Sequence, residues 1–391
     1  MKRIDRYFGL PICWFLYIYD KFINLFYRRK ISRFEEIKKI VFLKWFGLGT
    51  ILKLSPLLEA VRLNLPNAKI IFYTFSENKQ ILKILNFCDE VRVIDNSYIT
   101  KFIKDFFQHI FKFRLIKPDL VVDLEFFSNF STIFAFLSGS SQRIGFDSNY
   151  FWYKNLSNKK VDLYKYHSLK EIYLEIAKIM GLEINKFTFK KINIDPVKKQ
   201  HLEIFLRKYN VDCDKSLIGI NVNTSEVLLL RRWPAEYFVS LINILSKNLD
   251  YKKWKIILIG SVLEKNYIIK NILNKVKFKD HIVNLAGVLD LEDLIILIDK
   301  FKIFISNDSG PLYIAMVQDI PTVSFWGPTS PFFHLPIDDP KHKYFYTDID
   351  CNFCFDKSMH KPRIVCKGKA SCMLGIEPKE VADYILKFLK S

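Results

Sequence analysis

Short apolar runs alternate with longer segments of helical period from Ile40 onward. The first series of predicted strands comprises Ile40–Trp45, Lys69–Phe75, Val91–Asp95, Asp119–Glu125 and Arg143–Phe146. Helical stretches such as Ile51–Leu65 and Thr100–Phe113 lie between them. Because these strands are continuously apolar rather than alternating, they are typical of a parallel sheet that is covered on both faces.

The same alternation restarts after a helical segment, His167–Met180. The second series of predicted strands comprises Leu217–Val222, Lys255–Gly260, Ile282–Ala286, Ile303–Asn307 and Thr322–Trp326. Two successive β-α series predict an α/β protein with two Rossmann-like domains whose parallel sheets face an interdomain cleft. We therefore expect an N-terminal extension at 1–36, a first domain at 37–205, a second domain at 206–375 and a C-terminal helix at 376–391.

The N-terminal extension is unusually aromatic. Its apolar run from Tyr7 to Tyr19 has 13 residues and contains Pro11, whereas a membrane-spanning helix needs about 20 apolar residues. A basic cluster, 28–30, follows the apolar segment. Aromatic side chains beside basic ones favour a helix that lies in the interface of an anionic membrane leaflet. The alternative is a helix that packs on the protein's own surface.

Composition narrows the possible partners. Half of the residues are hydrophobic and 16% are aromatic, which excludes a mainly disordered chain. Sixty Lys and Arg against 41 Asp and Glu give a net charge of +19. This excess indicates an anionic partner, namely nucleic acid, a membrane surface or a phosphorylated small molecule. The alternative is that an AT-rich genome raises the number of lysines without any functional demand. Because the lysines are scattered and no nucleic-acid-binding motif occurs, we expect no nucleic-acid partner.

Seven cysteines are too few for a disulfide scaffold of this size. The first apolar stretch also lacks a small-residue cleavage site, so we expect a reducing, cytoplasmic compartment. Four of the cysteines fall in a loop at 351–372, namely Cys351, Cys354, Cys366 and Cys372. These four cysteines either bind a structural zinc ion or remain reduced thiols without a metal. Since the second pair lacks C-x2-C spacing, we expect no metal, and nothing indicates a cofactor.

The first strand-to-helix turn contains Gly47, Gly49 and Thr50. This G-x-G lacks the third glycine of a dinucleotide-binding fingerprint, and the chain has no P-loop lysine motif. The glycines nevertheless allow the backbone to approach a ligand or acceptor at the start of a helix.

Two turns of the second series are candidates for phosphate binding. After Ile303–Asn307, Asp308 or Ser309 is expected to cap a helix, and Gly310 allows the backbone to approach a ligand. The N-terminus of this helix should then attract a diphosphate. Arg231 follows Leu217–Val222 and its polar loop, and its guanidinium can grip a phosphate with a fork of donors. The alternatives are an ordinary capped turn and surface arginines.

A third candidate lies at the end of the buried strand that contains Asp123 and Glu125. Burial raises the pKa of a carboxyl group, and a position at the strand's end directs the side chain toward the cleft, as a general base requires. The alternative is an acid that caps a helix or forms a salt bridge.

Several longer segments follow one another along the chain: WFGLGTILKLSPLLEAV, DLVVDLEFFS with RIGF, RRWPAEYF, KIILIG and NDSGPLYIAMVQDIPTVSFWGPTSP. In this order they resemble glycosyltransferase family 9, the family of ADP-heptose:lipopolysaccharide heptosyltransferases. The resemblance runs from about Lys38 to the C-terminus.

This resemblance implies a GT-B architecture with an N-terminal acceptor domain and a C-terminal nucleotide-sugar domain. It implies an inverting, metal-independent transfer from a nucleoside-diphosphate sugar, by family an ADP-sugar, to a lipopolysaccharide core or other cell-surface glycan. The reaction is expected on the inner face of the cytoplasmic membrane. The donor-binding residues would be Arg231, Thr224, Gly260, Asp308, Ser309, Gly310 and Tyr313.

Two positions depart from the family's pattern. Heptosyltransferases have an aspartate, regarded as the base, where this chain has Thr50, and a histidine where it has Tyr313. A threonine hydroxyl is a poor base near neutral pH. Either Glu125 supplies the carboxylate, or the acceptor differs, or the protein is a non-catalytic nucleotide-sugar or glycan-binding protein of the same fold.

Overall fold

A computed structural model describes residues 2–26, 33–126, 128–147, 156–163, 165–184, 187–224, 226–337, 339–357 and 370–390. The chain forms two compact units, Met1–Thr188 and Phe189–Ser391. The domain boundary drawn from the sequence and the acceptor and nucleotide-sugar roles of the two domains stay predictions.

The first unit is a six-stranded sheet in which every neighbouring pair is parallel. Its strands are β1 (Lys39–Leu43), β2 (Lys69–Phe75), β3 (Glu90–Ile94), β4 (Leu120–Asp123), β5 (Gln142–Asp147) and β6 (Lys159–Asp162). Its helices are α1 (Lys2–Phe26), α2 (Leu48–Lys53), α3 (Ser55–Asn64), α4 (Lys79–Leu85), α5 (Ile99–Ile116), α6 (Asn129–Leu137) and α7 (Leu169–Ile179).

The second unit is also a six-stranded parallel sheet. Its strands are β7 (Ser216–Asn221), β8 (Trp254–Ile259), β9 (Ile282–Asn284), β10 (Phe301–Asn307), β11 (Thr322–Trp326) and β12 (His342–Tyr346). Its helices are α8 (Pro196–Arg207), α9 (Ala235–Asn248), α10 (Lys265–Ile268), α11 (Leu291–Ile298), α12 (Gly310–Val317), α13 (Pro331–His334), α14 (Cys354–Lys357), α15 (Ser371–Leu374) and α16 (Pro378–Phe388).

All ten predicted strands are present, and the expected α/β fold class is confirmed. The sequence prediction missed β6 and β12, which lie at sheet edges. Buried and exposed residues are mixed along both strands, so they lack the apolar run that marks the central strands. The helix predicted at Ile51–Leu65 is instead two helices, α2 and α3, that meet at Leu54.

Both sheets have the strand order of a Rossmann fold. The first reads β3-β2-β1-β4-β5-β6, and the second reads the same way when its strands are counted from β7. In such sheets ligands bind beyond the carboxyl ends of the strands at the point where the order reverses. That point lies between β1 and β4 in the first unit and between β7 and β10 in the second, where Leu43 pairs with Asp123 and Asn221 with Ser306.

The N-terminal helix α1 packs on the first unit through one face. Cys13 is buried among residues of α6, and the Asp5 carboxylate accepts hydrogen bonds from the amides of Asn129 and Phe130 at 3.0 and 2.6 Å. Packing on the protein's own surface is therefore confirmed, whereas the membrane-surface interpretation stays a prediction. In the part of the chain that the structure describes, no helix is both long and apolar enough to cross a bilayer.

Each unit has an aromatic-rich core beneath its switch point. In the first, Trp45 packs against Phe75 and Phe134 at ring distances of 5.2 and 5.4 Å. In the second, Trp233 stacks on Phe325 at 4.2 Å. Both tryptophans are fully buried, so a buried ring anchors the loop after β1 at its start and the loop after β7 at its end, before α9.

Candidate functional site

The turn after β1 has the conformation that its glycine permits. Gly47 has a φ of +91°, a region that favours glycine, and a Cβ there would lie 2.4 Å from the Thr50 hydroxyl. That hydroxyl donates to the Gly47 carbonyl at 3.0 Å. Thr50 therefore stabilises the turn, while Gly49 is buried in α2 behind it.

Glu125 lies against this same turn. Its carboxylate forms a 3.0 Å ion pair with the ammonium of Lys44 and accepts the backbone amides of Trp45 at 3.1 Å and Phe46 at 3.4 Å. The side chain of Glu125 is 13% exposed. The structure therefore brings a carboxylate to the turn where the family has its aspartate, and that carboxylate is also salt-bridged, as the alternative interpretation expects.

The carboxyl group with the perturbed pKa is Asp123. Burial raises its pKa to about 7, although the Ser131 hydroxyl and the Glu125 amide donate to it at 2.5 and 3.1 Å. Ser131 in turn accepts the indole N–H of Trp45 at 2.7 Å. A raised pKa and a position open to a substrate were expected of one carboxyl group. In the structure they belong to two, since Asp123 is the buried acid and Glu125 the accessible one.

Tyr173 of α7 belongs to the same region and was missed by the sequence reasoning. It is buried, and its hydroxyl has no hydrogen-bond partner among the described residues. Burial and then the charge of Glu125 raise its pKa. Its helical, apolar surroundings in the sequence mark it only as a core residue, so no local signal could have identified it.

In the second unit, Asp308 is the centre of a polar cluster. Its carboxylate forms an ion pair with Arg231 at 3.0 Å and accepts the hydroxyls of Tyr313 at 2.8 Å and Thr329 at 2.9 Å. The Thr224 hydroxyl donates to the Asp308 carbonyl at 3.4 Å. Residues from the turns after β7, β10 and β11 therefore meet at one carboxylate.

Tyr313 supports this cluster from behind. It is 5% exposed, and burial followed by the nearby Asp308 charge raises its pKa well above the ordinary value of a tyrosine. It is therefore a neutral phenol that donates to Asp308. In this position it orients the aspartate, while its contact with a donor stays a prediction.

The structure lacks the cap of α12 that the Ser309 side chain was expected to supply. Ser309 is the N-cap residue by position, but its side chain makes no capping hydrogen bond. The Ser309 hydroxyl instead bonds to Asn221 and Ser306, both at 2.9 Å. The amide of Gly310, the first residue of α12, therefore lies at an N-terminus that the Ser309 side chain does not cap.

Asparagines fix the loop after β7. Asn307 accepts the Trp233 amide at 2.8 Å and donates to the Val222 carbonyl at 3.1 Å. Asn223 is fully buried, yet both polar atoms of its amide lack a hydrogen-bond partner among the described residues. A polar run directly after a buried strand was the available signal, although the sequence reasoning passed over Asn223.

The two neighbouring arginines have different surroundings. Arg231 pairs with Asp308, whereas the Arg232 guanidinium lies 4.3 Å from the ring centroid of Tyr267. Only Arg231 joins the cluster around Asp308.

Gly260 follows β8 beside this loop. Its carbonyl accepts the Gly287 amide at 2.8 Å, and a Cβ there would lie 2.9 Å from Ile268. Close packing therefore accounts for this glycine, and its contact with a donor stays a prediction.

The cysteine loop lies partly outside the described residues, because Cys366 is not among them. Cys351, Cys354 and Cys372 are described, and no group of three potential metal ligands forms within the described ranges. The expectation that the complete cluster binds no metal stays a prediction. A nearby acid that the sequence reasoning missed, Asp356, accepts the Ser330 amide at 2.5 Å and lies 3.5 Å from His334.

Known proteins resemble this chain over most of its length. A family model described as glycosyltransferase family 9 (heptosyltransferase) matches residues 119–364. Lipooligosaccharide heptosyltransferase 2 of Campylobacter jejuni serotype O:6 is 24% identical over 356 residues, covering 87% of this chain and 96% of that protein.

Two solved structures share the fold. The glycosyl transferase family 9 structure from Veillonella parvula superposes with a TM-score of 0.72 at 19% identity. The match covers 93% of this chain and 100% of the Veillonella chain. The E. coli ADP-heptose lps heptosyltransferase II gives a TM-score of 0.69 at 18% identity, with 90% and 98% covered. The GT-B fold class is thereby confirmed, and with the family model matching more than half of its residues this chain belongs to glycosyltransferase family 9.

Proposed function

We propose that this chain transfers heptose, or a closely related sugar, from an ADP-sugar to a lipopolysaccharide core. The donor and acceptor are those that the names of its relatives give. The observation that carries the proposal for this chain is the cluster around Asp308, at the switch point of the second sheet. It combines an oriented arginine, a helix N-terminus that the Ser309 side chain does not cap and the buried amide of Asn223, which has no partner among the described residues.

These groups suit a nucleoside diphosphate. A guanidinium has five N–H donors, so the bond from Arg231 to Asp308 is compatible with a fork toward a phosphate. The Gly310 amide and the dipole of α12 attract negative charge, and Asn223 can form with a ligand the hydrogen bonds that it lacks within the described residues. Fixed positive groups of this kind stabilise a departing diphosphate without a metal ion.

We assign the role of general base to Glu125. A carboxylate has about four acceptor directions, and Lys44, Trp45 and Phe46 occupy three of them. An acceptor hydroxyl would give its proton to Glu125 while its oxygen forms the new bond to the anomeric carbon. The bond from that carbon to the diphosphate breaks, its electron pair leaves with ADP, and a single displacement of this kind inverts the anomeric configuration.

Calorimetry with ADP tests the donor site. Losing a charged hydrogen bond costs about 2 kcal/mol, so Arg231→Ala should weaken ADP binding by roughly 30-fold. Arg232→Ala is the matched control and should bind ADP like the wild type. Equal affinity of Arg231→Ala and the wild type would remove the phosphate role.

A transfer assay tests the base. Glu125→Gln should lower turnover by about 100-fold or more with little change in ADP affinity. Glu90→Gln is the control, because Glu90 is also ion-paired in the first unit but lies far from the turn in the sheet order. Near-normal turnover of Glu125→Gln would remove Glu125 from the mechanism.

The second candidate is a non-catalytic nucleotide-sugar or glycan-binding protein, which the threonine at position 50 favours. ADP binding by the wild type without product after prolonged incubation with donor and acceptor would support it. Peripheral attachment to the inner face of the cytoplasmic membrane also belongs to the main proposal, and its support is the amphipathic character of α1.

A further inference from the structure

Helix α1 leaves most of its apolar surface uncovered. Six of its side chains are between 61% and 78% exposed: Tyr7, Phe8, Phe15, Phe22, Leu25 and Phe26. A stripe that includes Cys13, Leu16 and Tyr17 packs on the cluster around α6. Soluble surfaces rarely carry contiguous apolar patches of this kind unless they meet a partner.

Helix α5 carries a second apolar stripe. Ile99, Ile103, Phe107, Phe111 and Leu115 recur every fourth residue and are 47% to 68% exposed. The opposite side of α5 packs inward, where Phe106 contacts the cluster of Ile133 and Phe136 that also receives Leu16 and Tyr17 of α1. The two helices therefore share one packing layer on α6, and we call their exposed apolar side chains the α1–α5 surface.

The acids of both helices turn toward the protein. Asp5 accepts the first amides of α6, Asp20 lies 3.6 Å from Arg143, and Asp105 accepts the Asp95 amide. Lysines on the same helices remain exposed, among them Lys104 and Lys112. The outer side is therefore aromatic and basic, and its acids are engaged elsewhere.

We infer that the α1–α5 surface docks on an anionic lipid leaflet. Amphipathic helices with aromatic apolar faces and basic flanks lie in the interface of such membranes. Interfaces between proteins are instead depleted of lysine, which disfavours a second copy as the occupant. The inference rests on the proposed function only in that a lipid-linked acceptor lies at the same leaflet.

Vesicle co-sedimentation of the full chain tests the surface helix by helix. The wild type should bind vesicles that contain phosphatidylglycerol more tightly than vesicles of phosphatidylcholine alone. Each of two paired variants, Phe15→Ser with Phe22→Ser on α1 and Phe107→Ser with Phe111→Ser on α5, should lower the partition coefficient by about tenfold or more. The matched control is Leu63→Ser with Ile204→Ser, two exposed apolar residues on α3 and α8, and it should bind like the wild type.

Undiminished binding of the α5 pair would overturn the joint surface, as would equal loss in the control. A different result would assign the surface to a second copy of the chain. In that case the wild type does not bind vesicles but is a dimer by light scattering, and the paired variants are monomers. Lys104→Glu with Lys112→Glu gives an independent check, since it should weaken binding to the anionic vesicles only. ADP affinity measured on every variant separates this result from failure of the transfer proposal, because vesicle binding requires neither donor nor acceptor.

Discussion

Asp123 should make the stability of the first unit decrease as the pH rises toward neutrality. The residue is 3% exposed, and burial raises its pKa from the ordinary 3.8 to about 7. Between these two values the folded chain retains a proton that the unfolded chain releases. The contribution of Asp123 to the free energy of unfolding is therefore greatest below about pH 4 and falls until the folded carboxyl has ionised, just above pH 7.

The size of the effect follows from the shift. A difference of about three pH units at about 1.4 kcal/mol each corresponds to about 4 kcal/mol. This is a large share of the stability of an ordinary domain. Because the carboxyl is buried, little solvent screening reduces the value.

Asp123→Asn is a suitable perturbation because of how the hydrogen bonds are distributed. The Ser131 hydroxyl and the Glu125 amide both donate to the same oxygen, Oδ1, and an amide oxygen can accept both. The variant should therefore match the wild type near pH 4 and exceed its free energy of unfolding by up to about 4 kcal/mol at pH 8.

Urea unfolding at several pH values, followed by circular dichroism and tryptophan fluorescence, measures the difference. Coincident transitions are required before a two-state free energy is assigned. Asp319→Asn, which changes an exposed aspartate, should retain the pH dependence of the wild type. Parallel stability curves for Asp123→Asn and the wild type would refute the reasoning.

Three further variants probe single contacts. Gly47→Ala should lower the free energy of unfolding by about 1–3 kcal/mol, because φ is +91° and the added Cβ would meet Thr50; thermal melting measures it, and an unchanged melting temperature would contradict the assigned turn. Tyr313→Phe should lower the free energy of unfolding by about 1–2 kcal/mol and weaken ADP binding, because Asp308 loses a hydrogen bond that orients it. If calorimetry shows wild-type affinity for ADP, Tyr313 contributes to stability but not to donor binding. Asp5→Ala should speed hydrogen exchange in the first turn of α6 by about fivefold, since the lost cap is worth about 1 kcal/mol. Unchanged exchange would show that Asp5 does not stabilise the start of α6.

Much of the fold followed from local pattern. Continuous apolar runs located all eight central strands and the edge strands β3 and β9, because a strand buried on both faces must be apolar at every position. The other two edge strands, β6 and β12, could not be found this way, since they bury only one and two of their residues, respectively. The division of the predicted helix at Leu54 also lacked a recognised signal.

The candidate sites were predicted less completely. Position after a strand identified Glu125, Arg231 and Asp308, since the carboxyl ends of parallel strands share one edge. It did not predict that Lys44 pairs with Glu125, because the two belong to strands far apart in the chain. Nor did it separate the surroundings of Arg231 from those of Arg232.

By itself the sequence determined the parallel α/β fold, the turns at which chemistry is expected and the family. These depend on residue type and spacing, which local sterics and burial translate directly into structure. Only the tertiary structure decided which of two carboxyl groups is buried and which lies at the turn, because burial and charge depend on neighbours brought together from distant segments. The apolar stripe of α5 is a second example. The sequence did not indicate that it forms one surface with α1, because that depends on both helices packing on α6 with their apolar faces exposed.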